Sequence, residues 1–214
     1  MKLIKHFKFA VFSLVFAGFS AAHAGSYEDF FVAITRDNAG HVDDLLKRGF
    51  DPNTRNPDGQ TGLYLALRAD SLKAADALIA GPGLEVDARN AVGETALMIA
   101  ALRGQMPQVQ ALLQHGAQVN QPGWSALHYA VSGPNLEVVK LLADRGAALD
   151  ATSPNGSTPL MMAARYGSEA AVDLLLARGA DPRKRNELGL GAADFAKLGG
   201  RESLAARLAP LASR

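Results

Sequence analysis

The chain lacks cysteine altogether, has a single tryptophan, and only 7% of its 214 residues are aromatic. Without cysteine there is no disulfide, no thiolate nucleophile and no acceptor for the lipid of a bacterial lipoprotein. Stability therefore has to come from packing. Histidine is scarce, and His41, His115 and His128 are the three that lie beyond residue 24. No HExxH, CxxC, GxSxG or glycine-rich phosphate loop is present, so metal ligation and nucleophilic catalysis lack the residue patterns they need. Charge of one sign is missing too: 22 basic residues face 21 acidic ones, a net charge of +1. With no interleaving of basic and aromatic residues, nucleic-acid binding has no support. These absences point away from an enzyme, and neither a cofactor nor a metal is expected.

Long hydrophobic runs are also absent. The apolar run from Phe9 to Phe19 is 11 residues, well short of the roughly 20 that a spanning helix needs. It follows the basic residues Lys2, Lys5 and Lys8 and precedes Ala22-His23-Ala24, small residues where a signal peptidase reads them. This pattern predicts a secretory signal peptide over residues 1–24, cleaved before Gly25, and a periplasmic protein. The alternative is an N-terminal membrane anchor, for which the run is short. Loss of three lysines would leave 19 basic against 21 acidic residues and a net charge of −2.

What the chain does have is repetition. TGLYLA (Thr61 to Ala66), TALMIA (Thr95 to Ala100), SALHYA (Ser125 to Ala130) and TPLMMA (Thr158 to Ala163) vary one pattern, with their last alanines 34, 30 and 33 residues apart. A period of this size marks a solenoid, in which each unit is stable only when stacked on its neighbours. Thr61, Thr95, Ser125 and Thr158 suit helix N-caps, and Pro159 suits the first helical position because it has no N–H to leave unpaired. The alanines let neighbouring helices approach, while Leu63, Leu97, Leu127 and Leu160 recur as core residues. A second helix in each unit carries a paired apolar cluster, such as Leu112 and Leu113. It stops at Gly49, Gly83, Gly116, Gly146 or Gly179. Segments such as GADPRKRNELG then supply turn residues before the next cap.

The unit TPLMMAARYGSEAAVDLLLARGADPRKRNELG resembles an ankyrin repeat. The resemblance covers nearly all of residues 25–214: four clear units from Gln60 to Gly189, a degenerate opening unit from Tyr27 to Gly59, and a closing helical pair from Leu190 to about Leu211. It implies an all-α repeat solenoid of helix-turn-helix units joined by β-hairpin loops. Its concave face of hairpin tips and first helices would bind another protein, and a monomer is expected. The chain is similar to exported ankyrin-repeat proteins of Gram-negative bacteria, some linked to catalase function and peroxide resistance. The same architecture would also suit a periplasmic inhibitor or immunity protein that blocks a toxic enzyme.

Departures from the pattern are informative. The segment GAQVNQPGWSAL is about three residues short, so one hairpin tip is contracted, with Trp124 at the notch. The segment GPGLEVDA carries one extra residue, which a loop should absorb. The family's TPLH histidine survives as His128 alone and is replaced by Tyr64, Met98 and Met161, so hydrogen bonding must differ between units. Asp43 and Asp44 are adjacent on a helix and do not share a face, which makes them a solvated surface and not an acid/base pair. Arginines recur at two repeat positions: Arg55, Arg89 and Arg185 in the hairpins, and Arg36, Arg68, Arg103 and Arg165 near the ends of first helices. Both sets are expected on the concave side with Trp124 and Tyr166. Such arginines suit either solvated positions or a stripe recognising acidic groups, since the guanidinium fork pairs well with carboxylates. Trp124 is either an apolar anchor for a partner or a plug in the contracted hairpin.

Overall fold

A computed structural model describes residues 21–213, with side chains from 25 to 212. The first 20 residues of the expected leader lie outside the described residues. Twelve α-helices among the described residues form six antiparallel pairs. The first helices are α1 (Ala21–Thr35), α3 (Gly62–Arg68), α5 (Ala96–Arg103), α7 (Ala126–Ala130), α9 (Pro159–Tyr166) and α11 (Ala192–Leu198). The second helices are α2 (Ala39–Lys47), α4 (Leu72–Ala80), α6 (Met106–Gln114), α8 (Leu136–Asp144), α10 (Glu169–Ala177) and α12 (Glu202–Leu208), after which a 3-10 turn (Ala209–Ser213) closes the described residues. Each first helix contacts the next first helix, and α2 to α10 stack likewise in a second layer. The helices are short, and cores shared between units hold them.

Local chemistry starts each unit where the sequence places it. The hydroxyls of Thr61, Thr95 and Thr158 accept bonds from the backbone N–H groups of Tyr64, Met98 and Met161 at 3.3, 3.4 and 3.4 Å. Ser125 differs, because its hydroxyl bonds to the His128 ring instead. Leu63, Leu97, Leu127 and Leu160 are all buried, as are Ala66, Ala100, Ala130 and Ala163. Ala130 is 1% exposed on α7, between α5 and α9. Ala130→Leu is expected to lower the urea midpoint by an amount equivalent to about 1–3 kcal/mol, because the added atoms meet packed helices on both sides. An unchanged midpoint would show that this contact has slack.

Second helices end as the glycines indicate, with one correction. Gly49, Gly116, Gly146 and Gly179 each follow the C-cap with φ of 86°, 87°, 81° and 96°, the left-handed conformation that glycine adopts without strain. Gly83, read from sequence as the stop of α4, is not adjacent to it. The helix ends at Ala80 with Gly81 as an extended cap, and Gly83 turns the chain two residues later. The extra residue of this unit is thus absorbed in the loop.

The hairpins reduce to tight turns, with no named strand among the described residues and one isolated antiparallel bridge, Arg55 to Thr61. Backbone N–H groups of Asn56, Asn90, Ser153 and Asn186 donate to the carbonyls of Gln60, Glu94, Ser157 and Leu190 at 2.9–3.0 Å. The contracted unit has bends between 119 and 124 in place of such a turn. A further register is set by Asn53, Asp87, Asn120 and Asp150, whose side-chain oxygens accept the N–H of Glu85, Gln118, Ala148 and Asp181, each in the next unit, at 2.8–3.1 Å.

The two ends are sealed differently. In the opening unit Phe30 is fully buried against Phe31 and Phe50, with ring centroids 5.2 and 4.7 Å away. In the closing unit the Arg201 guanidinium donates to the carbonyls of Ala163, Ala164 and Gly167 at 3.1, 3.0 and 2.8 Å. It caps carbonyls at the C-terminal end of α9, of which Ala163 also accepts the Gly167 N–H, and a cation there is favoured by the helix dipole.

Candidate functional site: a groove of turns and first helices

Tyr64 and His128 occupy the same position in their helices and reach the same place in the following unit. The His128 Nε2–H group donates to the Ser157 carbonyl at 3.0 Å, and Nδ1 accepts from the backbone N–H and hydroxyl of Ser125 at 3.2 and 2.8 Å. The ring is 1% exposed. Burial pushes its pKa below the ordinary imidazole value, with hydrogen bonds to the Ser157 and Ala151 backbone opposing the shift. His128 therefore stays neutral and acts as a brace between units.

The direction of this shift fixes the pH dependence. A folded-state pKa below the unfolded value of about 6.5 gives stability that is complete above about pH 6.5 and is lost as pH falls from there through the folded value. NMR titration should place the His128 midpoint below that of a free imidazole. A midpoint at or above about 6.5 would contradict the buried neutral ring.

Where His128 meets a carbonyl, Tyr64 meets a carboxylate. Its hydroxyl donates to Glu94 Oε2 at 2.7 Å, Asn90 Nδ2 donates to the same oxygen at 2.8 Å, and the Tyr129 hydroxyl donates to Oε1 at 2.9 Å. One carboxylate thus ties together three consecutive first helices through α3, the turn before α5, and α7. Burial and the Glu94 bond push the Tyr64 phenol up to about 12 and raise Tyr129 as well. Burial alone would raise the Glu94 pKa, but the hydrogen bonds from Tyr64, Asn90 and Tyr129 outweigh it and hold the carboxyl below its ordinary value. Sequence reasoning singled out none of these three as a site. The signal was the Tyr64 replacement at the TPLH histidine position, a change from ring nitrogen to phenol that calls for a different acceptor.

This hub divides a groove into two parts. On one side is a concavity of about 560 Å³, lined by Tyr64, Arg68, Asn90, Val92, Glu94, Leu102 and Arg103 among others. On the other is a cleft of about 230 Å³, lined by Leu102, Trp124, His128, Tyr129, Ser132, Met162 and Tyr166. Leu102 belongs to both. The lining comes from turns and first helices, which is where the expected concave face lies. The smaller cleft opens at the contracted turn, where half-buried Trp124 stands edge-on to His128 and Tyr129 with centroids 5.3 and 6.4 Å away.

The arginines separate into two groups. Among the helix-end set, Arg68 and Arg103 line the larger concavity, and Arg103 pairs with Asp70. Arg165 lies over the Tyr166 ring, its guanidinium carbon 4.9 Å from the centroid, at the rim of the cleft. Arg36 is exposed one residue past α1 and lines neither part. The hairpin set ties turns together: Arg55 Nη1 donates to the carbonyls of Gly59 and Arg89, both at 2.7 Å, and Arg89 donates to Gln121. Arg185 Nη1 donates to the Gly189 carbonyl at 2.8 Å and lies 3.7 Å from Asp194. Trp124 and Tyr166, expected on one surface, line the same cleft. Among the described residues no group of three His, Asp or Glu is placed to hold a metal, and no helix is long and apolar enough to cross a membrane.

A family profile described as "Ankyrin repeats (3 copies)" matches residues 30–122 and 118–186. The chain belongs to the ankyrin-repeat family. Ankyrin repeats are protein-interaction modules, so the groove sits on a protein-binding scaffold. Human neurogenic locus notch homolog protein 4 is 36% identical over 148 residues, 61% of this chain and 7% of that protein. The putative palmitoyltransferase ZDHHC13 of Danio rerio is 32% identical over 67% of this chain and 23% of its own length. The mouse B-cell lymphoma 3 protein homolog is 32% identical over 66% of this chain and 33% of its own. The ankyrin-repeat chain thus spans a third or less of each of these relatives.

Bacterial structures match over almost their full length. A chain of the complex between the Bd0816 predatory endopeptidase of Bdellovibrio bacteriovorus and immunity protein Bd3460 superposes with a TM-score of 0.71 at 25% identity, covering 85% of this chain and 97% of that one. An ankyrin repeat domain from Acinetobacter baumannii AYE gives 0.70 at 25% identity, covering 85% and 96%.

Proposed function

We propose that this ankyrin-repeat chain is an exported, non-catalytic binding protein that works in the periplasm and grips a partner protein through the groove of turns and first helices. The observation that carries the reading is the groove itself, whose two parts are built from successive units and hold Arg68, Arg103, Trp124 and Tyr166 on one face. Arginine, tryptophan and tyrosine are the side chains that dominate protein interfaces. The basic start, short apolar run and Ala22-His23-Ala24 support export with cleavage between Ala24 and Gly25. In its finer form this reading has the chain support catalase function or peroxide resistance, as the resemblance to exported ankyrin-repeat proteins implies.

A second reading is favoured by one observation, the superposition on a chain of an endopeptidase–immunity protein complex. Under it the same groove blocks an enzyme that would damage the cell. Affinity capture from periplasmic extract with the tagged chain tests both, with intact-mass analysis of the bait. A bait beginning at Gly25 that retains one protein in stoichiometric amount supports the proposal. Intact Met1 in membrane-bound material, or a bait that retains nothing beyond a control ankyrin protein, overturns it. Addition of the purified chain to the captured enzyme then separates the readings: inhibition favours the blocker, and undiminished or raised activity favours the supporter.

A further inference from the structure

The cleft at the contracted turn differs from the rest of the groove in three ways. Its walls are apolar and aromatic, with Trp124, Tyr129, Met162 and Tyr166 around it and no charged side chain lining it. Its volume of about 230 Å³ falls below the roughly 300–1,000 Å³ of small-molecule sites, and suits one large side chain better than a separate ligand. It also lies open because the turn that would stand beside it is replaced by bends between 119 and 124, whereas the preceding and following units carry full turns at Asn90–Glu94 and Ser153–Ser157.

The charges around this cleft are asymmetric. Arg165 stands at one rim, over Tyr166, and Arg68 and Arg103 lie beyond Leu102 on the other side. Among the described residues neither Arg68 nor Arg165 has a carboxylate within ion-pair distance. Glu94, which lines the larger concavity with Arg68 and feels its charge, already accepts two phenol hydroxyls and an amide. An occupant therefore meets cations on both flanks and an apolar floor between them.

We propose that this cleft receives one large apolar side chain from an acidic loop of the partner protein, whose flanking carboxylates meet Arg165 on one side and Arg68 on the other, Arg103 being paired with Asp70. The inference rests on the protein-binding reading above and names the chemistry of the partner that the groove recognises. Burial of the apolar side chain against the rings supplies affinity, and the paired charges select the acidic loop and speed its approach.

Trp124 is the only tryptophan in the chain, so intrinsic fluorescence reads this cleft directly. The full chain would be titrated with acetyl-Asp-Glu-Phe-Glu-Asp-amide, with the same peptide carrying Ala for Phe, and with one carrying Lys at all four flanks. The expected result is a saturable change in Trp124 emission with the acidic phenylalanine peptide. Binding should weaken at least ten-fold with either control peptide, with Tyr166→Ala, and with Arg68→Gln combined with Arg165→Gln. Raising the salt should weaken it further. All three substitutions fall on side chains that are exposed or half-buried, and circular dichroism would confirm that each variant is folded.

No saturable change with the acidic phenylalanine peptide overturns the proposal. Equal binding of the lysine-flanked peptide overturns it in favour of a purely apolar site. Emission that changes with protein concentration alone overturns it in favour of a second copy of the chain. If a protein captured from periplasmic extract binds Tyr166→Ala and the double arginine variant as tightly as the unmodified chain, this inference fails while the protein-binding reading stands. Capture of nothing, by contrast, removes the broader reading.

Discussion

Gly167→Ala should lower the stability of the chain by about 3 kcal/mol, the upper part of the usual range for overpacking, or about 6–12 °C in melting midpoint. The backbone of Gly167 is extended, with φ of −87° and ψ of −179°, so alanine has no conformational difficulty there. The obstacle is space. A Cβ at this position would stand 2.1 Å from the carbonyl oxygen of Val131 and 3.0 Å from Cα of Ala163. Both are backbone atoms, and no side-chain rotation relieves the contact. Relief requires the unit of α9 and α10 to move away from the unit of α7 and α8, which also loosens the alanine-to-alanine packing. The same device recurs at Gly133 against the Leu102 carbonyl and at Gly199 against the Arg165 carbonyl, both 2.6 Å from a built Cβ. Gly40→Ala is the matched control, since its Cβ meets only the Asn38 side chain at 3.8 Å within α2. That change should stabilise slightly, because alanine has less backbone freedom to lose in a helix. Equal midpoints for Gly167→Ala and the unmodified chain in urea denaturation would show that the units are not held at this distance.

Glu94→Ala should cost about 2–4 kcal/mol at neutral pH, since it strips the acceptor from two phenol hydroxyls, one of them on a side chain 6% exposed. The direction of the pKa shift gives this effect a pH signature. The Glu94 carboxyl is held below its ordinary value in the folded chain. Its contribution is therefore present above the unfolded value of about 4.3 and is lost as pH falls through that value toward the folded one. Tyr64 has the opposite window. Its phenol is pushed up to about 12 from 10.0, so its contribution is present below pH 10 and is lost as pH rises toward 12. Urea midpoints of the unmodified chain, Glu94→Ala and Glu94→Gln across pH 3 to 8 would check the acid side. Glu94→Gln keeps an acceptor, so it should lose less than Glu94→Ala at pH 7 and show a weaker fall in acid. Acid profiles that are identical in all three would mean that the carboxylate does not hold the three helices together.

Much of the architecture is legible in the chain because the repeat turns weak local signals into a strong one. A threonine before an apolar run is an ordinary N-cap candidate, but Thr61, Thr95 and Thr158 at matching places identify one another. Gly49, Gly116, Gly146 and Gly179 do the same for the helix stops. Gly83 misled because an inserted residue moved the turn away from the helix end, and spacing alone does not say which of Gly81 and Gly83 is the cap. The turn-to-turn bonds of Asn53, Asp87, Asn120 and Asp150 were not legible, since Asn and Asp suit a turn whether they bond within it or to the next unit.

The functional face divides along the same line. Sequence by itself determined the repeat, the order of the helix pairs, the buried leucines and alanines, the contracted hairpin at Trp124 and the arginine register, because all of these follow from local spacing and side-chain type. Tertiary structure decided which arginines remain free. Arg55, Arg89 and Arg185 bond to their own or neighbouring turns, whereas among the described residues Arg68 and Arg165 stay beside the groove with no carboxylate within ion-pair distance. It also decided that Tyr64, Glu94 and Tyr129, 30 and 35 residues apart, meet at one carboxylate, and that Trp124 forms a cleft with Met162 and Tyr166. The physical reason is that these contacts run between units. Stacking sets the distance and rotation from one repeat to the next, and a repeated sequence specifies that each unit stacks without stating which side chains the stacking brings face to face.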